Sequence, residues 1–140
     1  MSLDVRLYRN YHVSYDGGKT LEEKKEELYS ANITHNLNKM ADEAGLYEAL
    51  WRPYKLKKNY DIIEDDYNNE YEFENSNPVK ANEIISIIEK GLKDMKAKPS
   101  YYKKFDSLNG WGLYVHFIPF IEEYLEALKK YPDAFVECSR

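Results

Sequence analysis

Both ends of this chain alternate apolar and polar side chains with a period of two, and the long stretch between them does not. Leu3, Val5 and Leu7 are interleaved with Asp4, Arg6 and Tyr8, the pattern of a strand that buries one face. Ala134-Phe135-Val136-Glu137-Cys138 repeats that pattern at the far end. A lone strand leaves its backbone N–H and C=O groups unpaired, so the simplest arrangement sets the two terminal strands side by side. Between them lie two helical patterns. Pro78 and Asn82 precede Ile84, Ile85, Ile88, Leu92 and Met95, closed by Pro99; Tyr114, Phe117, Ile118, Ile121, Tyr124, Leu125 and Leu128 follow, ending before Pro132. Pro119 inside the second pattern implies either a kink or a helix that begins near His116. The fold class is therefore α+β: a small antiparallel sheet with the N- and C-terminal strands paired, packed against three to four helices.

The first half carries weaker signals. A short alternating piece around Tyr11 to Tyr15 runs into Asp16-Gly17-Gly18-Lys19, a turn. Thr20 to Glu27 is charge-dense and reads equally as helix or exposed loop, and Leu28-Tyr29-Ser30-Ala31 reads as a short strand ending at Asn32. From Thr34 the spacing of Leu37, Met40, Ala41 and Ala44 is helical, with Gly45 placed to end it. Leu46 to Trp51 makes another turn or two before Pro53. Residues 60–77 hold Asp61, Glu64, Asp65, Asp66, Glu70, Glu72 and Glu74 without a Lys or Arg, interleaved with Tyr60, Tyr67, Tyr71 and Phe73. Such a run reads as a solvated acidic, tyrosine-rich loop or insertion. It lacks the central glycine and the terminal glutamate in register that a calcium loop needs.

At 140 residues the chain fits a single domain, 1–140, and one of this size buries roughly two-thirds of its unfolded surface without metal or disulfide staples. The single cysteine, Cys138, leaves no intrachain disulfide and suits a reducing compartment. The N-terminus lacks a signal-peptide pattern and no segment approaches the ~20 apolar residues of a membrane span, so the expected setting is the cytoplasm, with no membrane partner. With 25 acidic and 20 basic side chains the net charge is −5, a field that repels phosphate backbones and argues against nucleic acid as a partner. The chain has 14 tyrosines and two tryptophans. Such side chains join large contact area to a polar tip, which favours ligand pockets and interfaces, a homo-oligomer among them.

Asn32-Ile33-Thr34-His35-Asn36-Leu37 concentrates polar groups where a strand turns into a helix. A helix start presents unpaired amide N–H groups and partial positive charge, so it attracts carboxylate or phosphate. Asn32 or Thr34 can cap it, leaving His35 and Asn36 in the first turn. Asn109-Gly110-Trp111-Gly112 repeats the logic, with glycines that allow close approach and an indole that offers a stacking face. Arg52, beside Trp51, can add a cation. Asn32, His35, Asn36, Arg52 and Trp111 are thus the candidate ligand-binding residues, and an anionic or nucleotide-like small molecule is the expected ligand. Equally compatible with these residues, Asn32 only caps, His35 only satisfies a neighbouring carbonyl, and the two tryptophans only anchor the core.

Catalytic signatures are weak. His12, His35 and His116 show no zinc spacing, no P-loop or G-x-G-x-x-G is present, and no cofactor is implied. Cys138 lies in a terminal strand, and Ser30 with His35 has no elbow motif. General acid–base work by His35 stays open, because its spatial neighbours are not visible in the sequence. The leading expectation is a small binding protein; the alternative is a protein-binding inhibitor or adaptor that works through the acidic, tyrosine-rich surface.

The set Ala31-Asn32-Ile33-Thr34-His35-Asn36-Leu37 with Met40-Ala41, Leu50-Trp51-Arg52-Pro53, Asn109-Gly110-Trp111-Gly112, Tyr131-Pro132-Asp133-Ala134 and Ser139-Arg140 resembles a family of small uncharacterised proteins of bacteria and their phages, over most of the chain. The resemblance brings no activity with it. It implies a stand-alone domain, a setting in phage and host conflict, and a polar motif that serves as a site. Shorter members of that family lack the acidic stretch, which implies a peripheral insertion.

Overall fold

A computed structural model describes residues 2–60 and 67–140. Four strands form one antiparallel sheet in the order β2-β1-β4-β3, where β1 is Ser2–Val13, β2 Glu22–Thr34, β3 Val79–Lys80 and β4 Phe135–Ser139. The terminal strands are paired as their alternation predicts, with Val5 opposite Cys138 and Leu7 opposite Val136. Leu3, Val5 and Leu7 are fully buried, and with Val136 and Cys138 they give the sheet one apolar face. The opposite face is polar and solvated, as an antiparallel sheet permits. Arg6 bridges Glu27 at 3.4 Å and Glu137 at 3.5 Å, and Lys25 meets Glu137 at 2.6 Å and lies 4.0 Å from the centre of the Tyr8 ring.

The helices supply the second layer: α1 (Asn38–Glu43), α2 (Tyr47–Trp51), α3 (Tyr67–Ser76), α4 (Ile85–Ala97), α5 (Pro99–Tyr102) and α6 (Tyr114–Lys130). That is more than the three or four expected, because α1 and α2 are parted at Gly45 and α4 and α5 at Lys98, ahead of Pro99. Gly45, at φ 72°, ends α1 as its position predicts. The two long amphipathic helices α4 and α6 carry most of the core, through Ile88, Leu92 and Met95 on one and Phe117, Ile121, Tyr124 and Leu128 on the other. Gly91 lets α4 come close to Leu46: a Cβ there would sit 2.3 Å from Leu46 Cδ2. Helix α6 begins at Tyr114 and runs through Pro119, so the proline does not mark its start.

Two expectations are corrected. Thr20 to Glu27 is neither helix nor loop from Glu22 onward: β2 spans Glu22–Thr34 and pairs with β1 along its whole length. Its register steps between Leu7↔Tyr29 and Tyr8↔Glu27, so Leu28 has no opposite residue. A bulge of this kind reverses which residues face the core and hides a long strand from any test of strict alternation. In the acidic stretch, Tyr67–Ser76 is helix α3 and not a loop; Asp61 to Asp66 lie outside the described residues. Phe73 of α3 is 9% exposed, and its ring meets Tyr60 edge-on at 5.2 Å.

Candidate functional site

Ile33 and Thr34 are the last paired residues of β2, opposite Leu3 and Ser2. The chain then tightens into a 3₁₀ turn over His35–Leu37. Thr34 caps it, its Oγ1 accepting from Asn36 N at 3.3 Å, and Leu37 drops into the core. Asn32 does not cap. It stands on the solvated face of the sheet, where Nδ2 donates to Ser2 Oγ at 2.9 Å and to Asp4 Oδ1 at 2.6 Å.

His35 is tied from behind. The buried indole Nε1 of Trp51 donates to His35 Nδ1 at 2.9 Å, and the two rings lie 6.2 Å apart. While that bond holds, Nδ1 is an acceptor and the ring hydrogen sits on Nε2. Nε2 is out of contact with solvent and has no partner among the described residues. In this arrangement Nδ1 is engaged by the indole and Nε2 makes no contact with solvent.

The second start meets the first. Asp106 Oδ1 accepts from Tyr114 N at 2.7 Å and caps α6. Between them the loop closes on itself. Asn109 Oδ1 takes Trp111 N at 2.9 Å, and Ser107 N donates to Gly112 O at 3.0 Å. Gly112, at φ 120°, lies directly on Asn36: a Cβ there would be 2.9 Å from Asn36 Cβ. Both the dihedral and the contact demand glycine. The loop therefore presents Trp111 to solvent at 70% exposure while its backbone is pinned on both sides.

Two adjoining recesses flank that indole. One, of about 790 Å³, is lined by Ser2, Asn32, Ile33, Thr34, His35, Asn36 and Trp111. The other, of about 340 Å³, is more apolar and includes Ile33, Leu37, Trp111, Leu113 and His116. Four of the five residues singled out in the sequence thus share one recess. Arg52 does not join them. Its Nη1 lies 2.6 Å from Glu70 Oε1 and 3.1 Å from the Tyr54 hydroxyl, on the seam where α3 docks. Ile33, Thr34 and Leu37 come with the same segment, whereas Ser2, Leu113 and His116 were not assigned to the site from the sequence. Only the register Ser2↔Thr34 and the contact of Gly112 with Asn36 bring them together.

The electrostatics also differ from expectation. No Lys or Arg lines either recess among the described residues, and Thr34 and Asp106 already take an amide at each start. What remains is a stacking face with a hydrogen-bonding rim. The two tryptophans divide: Trp51 is 2% exposed and stacks on Tyr47 at 5.5 Å as a core anchor, and Trp111 is not one.

The acidic surface is partly spent inside the molecule. Glu70 accepts from Arg52 and from the Tyr54 hydroxyl, and Glu74 meets Arg140 at 3.2 Å. The Tyr54 hydroxyl, followed by Arg52, holds the Glu70 carboxyl below the usual carboxylate range, and burial together with Glu70 pushes the Tyr54 phenol up to about 12. Tyr71 and Glu72 face solvent. Comparison of the chain with protein-family models, with curated proteins and with solved structures finds no match.

Proposed function

We propose that this protein binds a flat, ring-containing small molecule of the nucleobase or nucleoside type, stacked on Trp111. One observation carries the reading: an indole 70% exposed to solvent is held by a hydrogen-bonded loop at the junction of two recesses. A large aromatic side chain left in water forgoes the stabilisation of burial, and one fixed between two recesses offers a ring face that a ligand can cover. Stacking of a base on such a ring contributes about 1–3 kcal/mol. The 340 Å³ recess beside it falls in the range of small-molecule sites. Asn36, Thr34 and Asn32 supply amide and hydroxyl groups at the rim, suited to the edge of a heterocycle.

This reading narrows the sequence expectation of an anionic ligand. With no Lys or Arg on the lining among the described residues, a phosphate adds no ion pair, so a nucleoside and its nucleotide bind with similar strength. Titration of tryptophan fluorescence with matched nucleosides and nucleotides tests both parts, and Trp111→Ala isolates the signal of buried Trp51. Quenching that saturates and disappears in Trp111→Ala supports the proposal. Silence across the panel at millimolar ligand, checked by calorimetry, overturns it.

A further inference from the structure

The two long strands differ in how their free edges are protected. The outer edge of β2 carries six consecutive charges, Glu22-Glu23-Lys24-Lys25-Glu26-Glu27, and the bulge at Leu28, both of which discourage pairing with another chain. The opposite edge of β1 is covered by β4 only from Asp4 to Tyr8. Beyond Tyr8, residues Arg9 to Val13 pair with β2 alone and project as one strand of a two-stranded arm. Arg9, Asn10, Tyr11 and His12 are all exposed. This edge has no bulge, no proline and no run of charge, and a two-stranded ribbon by itself is marginal in water.

We infer that Arg9–Val13 is a self-association edge, on which the same segment of a second copy of this chain pairs antiparallel about a two-fold axis at Tyr11. Three features select a second copy. First, the length matches. The open slot is closed at one end by Phe135, which pairs with Tyr8, and the arm's own strand ends at Val13 before the turn at Asp16-Gly17-Gly18. Second, the chemistry is self-complementary: Arg9 falls opposite Val13, Asn10 opposite His12 and Tyr11 opposite Tyr11, with no like charges facing. Third, the axis joins two tyrosines that are 43% exposed in the single chain, and cross-strand aromatic pairs stabilise such ladders. The pairing joins two arms into one four-stranded ribbon, an isologous contact that closes on itself. A contact of five residues per chain is small, so the dimer is weak and exchanges quickly.

Within one chain Tyr11 lies opposite Lys24. A Tyr11→Glu substitution therefore gains an attractive partner inside the hairpin, yet sets two carboxylates face to face across the axis. Sedimentation velocity over a concentration series reads the result. The wild-type chain forms dimers at high concentration. Tyr11→Glu associates about tenfold more weakly with an unchanged circular dichroism spectrum, and mixing it with Tyr11→Lys gives dimers stronger than either variant forms alone. A wild-type chain monomeric to about 1 mM, or Tyr11→Glu dimers as strong as wild type, overturns the inference.

Discussion

His35 shows how a polar residue lining a recess can be committed to structure. Its Nδ1 is the acceptor for the buried Trp51 indole N–H, so the ring orients the core tryptophan and presents its remaining surface to the recess. Removing the acceptor leaves a buried donor unpaired. His35→Ala is expected to lose about 1–3 kcal/mol of stability, measured by urea unfolding, and to weaken ligand binding only in proportion to disorder of the 35–37 turn. A loss well under that range shows the bond to be dispensable. Asn32 makes a related point: it was legible as a polar residue at a strand end, but its partners Ser2 and Asp4 lie on the neighbouring strand. Local rules for caps weigh only the next few residues, and here Thr34 outcompetes Asn32 for that role.

Helix α3 is an element that sequence patterning missed. Among its described side chains Phe73 is the buried apolar one, and Glu70 to Arg52 and Glu74 to Arg140 add ionic docking. A stretch with so little apolar periodicity looks unfolded until its cationic partners are brought in from residues 52 and 140. The same pairs make docking sensitive to acid. The Glu70 carboxyl is lowered in the folded chain, first by the Tyr54 hydroxyl and then by Arg52. The unfolded segment therefore takes up its proton at higher pH than the docked one. The stabilisation is complete above the ordinary glutamate value of about 4.3 and is lost as pH falls through the lowered folded value. Hydrogen exchange, corrected for intrinsic rates, should show α3 amides losing protection below about pH 4 while α4 and α6 stay protected. Glu70→Gln should raise α3 exchange already at neutral pH. Joint loss of all three helices removes the case for separate docking.

At the scale of the whole molecule, a sheet with one dry and one wet face carries the helices on a single side, and Cys138 of β4 marks the dry side. Burial pushes its thiol up to about 12, so near pH 8 its thiolate fraction is roughly a thousandfold below that of a free cysteine. Alkylation should be correspondingly slow in the native chain and rapid in denaturant, and its native rate should follow global unfolding because β4 sits between β1 and β3. Fast native labelling points instead to local fraying of the last strand.

The fold class, the paired ends and the two long helices follow from the sequence alone, because each rests on apolar periodicity within a single element. Asn32, His35, Asn36 and Trp111 were also legible there one by one, as polar or aromatic residues at chain reversals, but their sharing of one recess was decided by the contact of Gly112 with Asn36. The length of β2, the docking of α3, the diversion of Arg52 and the exposure of Trp111 were decided by tertiary structure. Each depends on a bulge, an ion pair or a backbone contact between residues far apart in the chain, and such contacts exist only once the layers have packed.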